Sequence, residues 1–170
     1  MAREAGCEVA IVESKPFGKD RAGFEAALQA VLDKHAAELI CLAGFMRLFT
    51  AGFVQRWQAR MLNIHPSLLP SFPGLDPHGQ ALNAGVKISG ATVHFVTPDT
   101  DAGPIVPARR GAGPRRRYVA ALSDRILGVE HRIYPAALRL VAENRVRIDG
   151  DRCAIEAVAK SDSVLIAPDI

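Results

Sequence analysis

The spacing of hydrophobic residues changes several times along this 170-residue chain, and the order of those changes most restricts the fold. Residues 39–43 and 61–64 are short apolar runs, which are typical of buried strands, and the alternating residues 86–97 also predict a strand. Residues 21–37 and 118–143 repeat their apolar positions every three or four residues, which is typical of amphipathic helices. Strands that alternate with helices predict an α/β sheet flanked by helices.

Shorter elements complete this prediction. We expect strands at residues 8–12 and from residue 104, short helices at 50–57 and 79–84, and a terminal hairpin that joins residues 146–148 to 153–158. The run at 39–43 is continuously apolar, so we expect it to be buried on both faces of a sheet whose first strands are parallel. The later strands are open to antiparallel pairing.

Composition excludes several classes of protein. With 49% hydrophobic and 23% charged residues, the chain has enough apolar material for a core. No apolar run reaches the roughly 18 residues that span a bilayer, and no apolar segment follows Arg3 as in a secretory signal, so we expect a soluble, cytoplasmic protein without a membrane partner. Cys7, Cys41 and Cys153 are too far apart for a metal motif, so we predict no metal and small buried thiols.

The positive net charge is local. Five of the 21 Lys and Arg residues lie within residues 109–117, which leaves 16 basic residues against 18 acidic ones elsewhere. Nucleic-acid binding needs a basic face that spreads over the fold. The charge distribution therefore argues against a nucleic-acid partner, and the oligomeric state stays open.

Polar side chains cluster where the predicted strands end. Ligands of open α/β sheets bind at the carboxyl ends of strands, which selects the loops at residues 44–50, 63–78 and 98–103. Asn63 and His65 leave one strand two residues apart, so their side chains point to the same side, and Asp101 begins another turn. An amide donor, an imidazole that a carboxylate keeps protonated, and that carboxylate suit acyl transfer without a covalent nucleophile.

Structural interpretations compete with the catalytic one. An Asn-x-His sequence at a strand end also serves capping or turn formation, and spacing alone leaves both interpretations open. We interpret His94, inside an alternating strand, as a packed histidine. His78 either starts a helix or lines the cleft.

Five ordered motifs resemble one enzyme family. They are Ala43-Gly-Phe-Met-Arg-Leu48, Leu62-Asn-Ile-His-Pro-Ser-Leu-Leu-Pro70, Phe72-Pro-Gly-Leu75, Thr92-Val-His-Phe-Val96 with Asp101-Ala-Gly-Pro104, and Glu130-His-Arg-Ile-Tyr-Pro135. Together they resemble the phosphoribosylglycinamide formyltransferases, over about residues 3–155. This resemblance implies a Rossmann-like formyltransferase sheet, with a formyltransferase domain at residues 1–158 and a tail at 159–170.

The resemblance also implies an activity in purine biosynthesis. Family members transfer a formyl group from 10-formyltetrahydrofolate to the amine of glycinamide ribonucleotide, without a metal. By motif, Asn63 and His65 polarise the formyl oxygen, and Asp101 keeps His65 protonated. The implied folate-binding residues are Arg21, Met46, Arg47, Leu48 and Phe49, with Asn63 and Asp101 and the loop at 98–102. The implied substrate-binding residues are Ile64, Pro66 and Glu130.

Two departures from the family pattern lead to further expectations. The family begins with a strand and a Gly-rich phosphate-binding loop that this sequence lacks, so we expect an N-terminally truncated sheet. Residues 107–117 are rich in Arg, Gly, Ala and Pro where relatives have an apolar strand, which suggests a local frameshift. The alternatives are a formyltetrahydrofolate deformylase, which passes the formyl group to water, and a non-catalytic remnant. The Pro66-Ser-Leu-Leu sequence favours the transferase.

Overall fold

A computed structural model describes residues 2–112 and 119–156 of the chain. After a 3-10 turn at Lys15–Phe17, the helices are α1 (Arg21–Lys34), α2 (Ala51–Arg56), α3 (Pro77–Asn83) and α4 (Val119–Ala142). The strands are β1 (Ile40–Leu42), β2 (Met61–His65), β3 (Ile88–Phe95), β4 (Ile105–Ala112), β5 (Val146–Asp149) and β6 (Arg152–Ile155). The α/β fold class is therefore confirmed, and every predicted helix forms.

The main sheet has the strand order β1-β2-β3-β4. β1 and β2 are parallel, whereas β3 runs antiparallel to both β2 and β4. The register of β2 and β3 places Asn63 directly opposite His94. β5 and β6 form the predicted terminal hairpin.

Successive residues of β2 pack into two different hydrophobic clusters, because neighbouring side chains of a strand point to opposite faces of the sheet. Met61 packs with Phe53, Val54 and Trp57 of the α2 region, and Leu28 and Leu32 of α1 lie against this cluster. Leu62 packs on the other face, in a cluster whose α4 members are Leu122, Ile126, Ile133 and Ala137. Helices therefore cover both faces of the sheet and hold the end of β2 in place.

Tyr134 ties α4 to the two parallel strands. Its hydroxyl lies 2.7 Å from the carbonyl oxygen of Leu42 in β1 and 3.1 Å from that of Leu62 in β2, and it can donate to either. Burial raises the pKa of Tyr134, so the hydroxyl keeps its proton and remains a donor. This contact fixes the carboxyl end of β1 beside that of β2, where ligands of such sheets bind.

Three expectations about the sheet and its thiols are wrong. Residues 8–12 form no strand, and Val9 and Ile11 are exposed, because no strand within the described residues pairs with them. β1 is not buried on both faces: it pairs with β2 alone among the described strands, so it lies at an edge. For the same reason Cys41 is exposed, as is Cys7, while Cys153 is partly buried.

β4 continues as a strand into the segment that departs from the family pattern. Pro107 lies between two pairs, His94 with Ile105 and Thr92 with Ala108, where the register of β3 and β4 shifts. A proline has no N–H to donate, so such an irregularity in an outer strand accommodates it. Residues 113–117 of this segment, Val158 of the predicted hairpin and the predicted tail at 159–170 lie outside the described residues. None of the described helices is long and apolar enough to cross a membrane.

Candidate active site

One cavity of about 540 Å³ opens at the carboxyl ends of β1 and β2. Its walls come from all three predicted loops, through residues 44–49, residues 63–66 with 74–77, and residues 98–101. Arg21 at the start of α1 and Glu130 of α4 also line it. The first two loops converge because the parallel strands β1 and β2 end at the same edge of the sheet, whereas the loop at 98–101 follows the antiparallel β3 and folds back to reach them.

Every residue that the sequence analysis selected lines this cavity. The eleven residues are Asn63, His65, Asp101, Arg21, Met46, Arg47, Leu48, Phe49, Ile64, Pro66 and Glu130. Met46 and Leu48 expose 76% and 57% of their surface, so apolar side chains are available to a ligand at the cavity mouth. The chemical roles of the eleven residues stay predictions, whereas their proximity is a property of the fold.

His65 has a partner at each ring nitrogen. Its Nδ1 atom lies 3.4 Å from Oδ2 of Asp101, and its Nε2 atom lies 2.9 Å from the carbonyl oxygen of Phe72. A carbonyl only accepts hydrogen bonds, so Nε2 carries a hydrogen in this arrangement. Both His65 and Asp101 have side chains less than a tenth exposed, which strengthens the interaction between the carboxylate and the imidazole.

The loop after β3 brings Asp101 to the imidazole. Asp101 itself adopts a positive φ of 54°, which an Asp tolerates better than most residues, and its Oδ2 accepts the N–H of Gly74 at 2.8 Å. Gly103, two residues further along this turn, packs against the Phe95 carbonyl, where a Cβ atom would collide.

His94 is packed as predicted, and it also belongs to the same cluster. It is 2% exposed, as packing predicts, but its Nε2 atom lies 3.3 Å from Nδ2 of Asn63 and 3.6 Å from Oδ1 of Asp101. Its ring also lines the cavity. Burial lowers the pKa of His94, which favours the neutral ring.

Aromatic rings form the wall beyond Asn63. Phe45, Phe49 and Phe53 are stacked, with centroids 4.6 and 4.5 Å apart. Arg47 lies with its guanidinium 4.8 Å from the centroid of Phe24 and donates to the Gly18 carbonyl at 3.4 Å. Part of the predicted folate-binding loop is thus fixed by α1 and the segment before it.

Glu25 anchors the end of that loop, although the sequence analysis gave it no role. The side chain is buried, and its two oxygens accept the backbone N–H and the hydroxyl of Thr50, both at 2.6 Å. Thr50 caps α2 by accepting the N–H of Phe53. The carboxylate therefore holds residues 44–50 against α1 at the place where the loop becomes a helix.

Glu25→Gln should lower the free energy of unfolding by about 1–2 kcal/mol, because an amide offers Thr50 one acceptor in place of two charged ones. The exposed Glu38→Gln is the matched control and should change little. Urea unfolding of both variants measures the effect. An equal, small change in the two would contradict the anchoring role of Glu25.

Glu130 gives a pH-dependent prediction. Burial raises the pKa of this carboxyl above 4.5, so the folded state favours its neutral form. The stabilisation that Glu130 contributes is present below pH 4.5 and is lost as the pH rises through the raised value. Glu130→Gln should therefore raise Tm at pH 7 relative to the native chain, and this gain should vanish at pH 4. An Asp124→Asn variant on the exposed side of α4 is the control, and a lower Tm of Glu130→Gln at pH 7 would refute the prediction.

No group of three or more His, Cys, Asp or Glu side chains in residues 2–112 and 119–156 is arranged to hold a metal ion. The polar groups of the cavity are an amide, imidazoles and carboxylates that contact one another. This arrangement can donate hydrogen bonds to a carbonyl oxygen and can stabilise a positive charge on an imidazole.

Comparisons with known proteins identify the family of this chain. The family described as "Formyl transferase" matches residues 1–138. The human trifunctional purine biosynthetic protein adenosine-3 is 46% identical over 147 residues, which are 86% of this chain and 14% of that protein. The chain thus spans about one seventh of the length of that relative.

Two solved structures share the fold. A crystal structure of glycinamide ribonucleotide transformylase 1 from Symbiobacterium toebii aligns with a TM-score of 0.86 at 45% identity, covering 91% of this chain and 72% of that one. A formyltetrahydrofolate deformylase from Pseudomonas syringae aligns with a TM-score of 0.83 at 28% identity, covering 90% of this chain and 51% of that one. The transformylase is similar in sequence as well as in fold.

Proposed function

The chain belongs to the formyl transferase family, and we propose on that basis that it transfers the formyl group of 10-formyltetrahydrofolate to the amine of glycinamide ribonucleotide. The observation that carries the proposal is the grouping of Asn63, His65 and Asp101 in one cavity with the apolar 44–49 loop. Formyl transfer needs these two features together: donors for a developing oxyanion, and a surface for a flat, largely apolar ring.

The amine attacks the formyl carbon, and a tetrahedral intermediate forms with a negative charge on the former carbonyl oxygen. The Nδ2 atom of Asn63 donates a hydrogen bond to that oxygen. Collapse of the intermediate breaks the bond between the formyl carbon and N10 of the folate, and the proton that the amine loses ends on N10. The carboxylate of Asp101, 3.4 Å from Nδ1 of His65, stabilises positive charge on the imidazole beside the oxyanion.

His65 reaches the oxyanion only after a local exchange of partners. In the structure its Nε2–H is donated to the Phe72 carbonyl at 2.9 Å. An oxyanion accepts a hydrogen bond more strongly than a neutral carbonyl does. The oxyanion therefore competes with the Phe72 carbonyl oxygen for the Nε2 hydrogen of His65.

The two ends of the cavity suit different parts of the substrates. Met46, Leu48 and the stacked Phe49 present apolar surface to the pteridine ring, with the 98–102 loop on the opposite side and Arg21 at the entrance. Glu130, Ile64 and Pro66 line the same cavity, and we assign them to the glycinamide end. The polar cluster thus lies between the two substrates, as group transfer requires.

The direct test incubates the purified protein with 10-formyltetrahydrofolate, with and without glycinamide ribonucleotide. Release of tetrahydrofolate and formation of the formylated ribonucleotide should both depend on the two substrates. Formate release without the ribonucleotide would instead indicate a deformylase. This is the second candidate because the chain is also similar in fold to the Pseudomonas syringae deformylase. If neither product formed, the result would favour the third alternative, a non-catalytic remnant.

A further inference from the structure

The most informative group that the proposed reaction leaves unused is His94. It is 2% exposed, lies next to the carboxyl end of β3 and contacts two of the three polar residues assigned to formyl transfer. We propose that His94 is a positioning residue that orients the Asn63 amide, so that a hydrogen of Nδ2, and not the carbonyl oxygen, faces the reacting formyl group. This inference rests on the proposed function, through the role of Asn63.

The hydrogen positions follow from the partners of the His94 ring. Nδ1 lies 3.0 Å from the carbonyl oxygen of Phe95, which can only accept, so Nδ1 carries a hydrogen. In a neutral ring Nε2 then has a free electron pair. The nearest polar atom to Nε2 is Nδ2 of Asn63 at 3.3 Å, and it donates to that pair.

This arrangement makes the opposite orientation of Asn63 unfavourable. If the Asn63 amide were turned by 180°, its carbonyl oxygen would lie against the electron pair of Nε2. The same oxygen would then face the oxyanion, and no N–H would be available to donate to it. Asp101 does not relieve this conflict, because its Oδ1 is 3.6 Å from Nε2, and its Oδ2 is already engaged by Gly74 and His65. His94 thus selects the amide orientation that the oxyanion needs.

The pairing of β2 and β3 holds Asn63 and His94 at a fixed distance from each other. Asn63 and His94 are directly opposite each other in the antiparallel pair of β2 and β3, so backbone hydrogen bonds fix the distance between them. The whole of β3 from Ser89 to Phe95 is buried, which restricts movement of the ring. A donor that is oriented before the reaction begins costs no reorganisation in the transition state.

A double-mutant cycle tests whether His94 acts through Asn63. His94→Phe should lower kcat about as much as Asn63→Ala does, on the order of 10²–10³-fold, with little change in KM for the formyl donor. In the Asn63→Ala background, His94→Phe should have almost no further effect. His94→Gln can still accept through its side-chain oxygen, so it should retain a kcat within about tenfold of the native value. His35→Gln, remote from the cavity, is the matched control.

A second measurement keeps the inference testable without any turnover. Nitrogen NMR of protein labelled with ¹⁵N-histidine, assigned with His94→Gln, should show His94 protonated at Nδ1 and unprotonated at Nε2 at neutral pH. Asn63→Ala should move the Nε2 resonance. A native protein that transfers no formyl group would overturn the proposed function, while the NMR spectrum would still decide the ring state. A hydrogen on Nε2, or additive losses in the cycle, would overturn the role of His94.

Discussion

Asp101→Asn is expected to lower turnover by about 10³-fold while the protein folds normally. The substitution keeps the shape of the side chain and an acceptor for the Gly74 N–H, which lies 2.8 Å from Oδ2. It removes the negative charge 3.4 Å from Nδ1 of His65. An imidazolium stabilises an oxyanion better than a neutral ring does, and losing a group of this kind typically costs about 10²–10⁴-fold in rate.

The pH profile separates this role from a structural one. Asp101→Asn removes the charged partner 3.4 Å from Nδ1 of His65, so the pH dependence of its residual activity should differ from that of the native protein. Asp151→Asn, in the exposed turn between β5 and β6, should leave the profile as it is. Stopped or steady-state assays from pH 5 to 9 give the comparison. A reduced rate with an unmoved profile would show that Asp101 shapes the loop and leaves the charge of His65 alone.

Local sequence patterns were sufficient for most elements because each pattern reports a property of one segment. The apolar spacing of residues 21–37 predicted α1, in which Phe24 is buried and Leu28 and Leu32 are partly buried. The meeting of the loops after β1 and β2 was also accessible, since consecutive parallel strands end together. Neither inference depends on knowing which strands are neighbours.

The errors concern properties that arise from pairing. An apolar run such as residues 8–12 becomes a strand only beside another strand, and residues 39–43 are buried on both faces only in the interior of a sheet. The contacts of His94 with the site were not predicted for the same reason. Alternation along β3 correctly predicted that its ring is buried, but only the register with β2 shows that Asn63 lies opposite. A signal was present, namely a polar ring within an otherwise apolar strand.

Backbone conformation was inaccessible for a different reason. Glycine tolerates a positive φ best, yet in the turn from Asp101 to Pro104 the positive φ belongs to Asp101 and not to Gly103. Close approach to the Phe95 carbonyl is what restricts position 103. Such an approach depends on two segments eight residues apart, and neither segment reveals it alone.

Asn63→Ala is the second large effect that we expect, and it should lower kcat by about 10²–10³-fold with only a small change in KM for the formyl donor. Asn63 is half-buried at the end of β2, and Nδ2 is the donor that faces both His94 and the cavity. The formyl oxygen gains negative charge only during the reaction. Loss of a donor to it therefore raises the barrier by roughly 3–4 kcal/mol without an equal loss of ground-state binding.

Asn63→Asp distinguishes the donor from the shape of the side chain. An ionised carboxylate occupies nearly the same volume but only accepts hydrogen bonds, so it would repel the oxyanion and the electron pair of His94 Nε2. We expect kcat of Asn63→Asp to be at or below that of Asn63→Ala. Asn83→Ala, at the exposed end of α3, serves as the control. If Asn63→Asp retained most of the native rate, or if Asn63→Ala weakened donor binding as much as it slowed turnover, Asn63 would be a binding residue, and the oxyanion would need another donor.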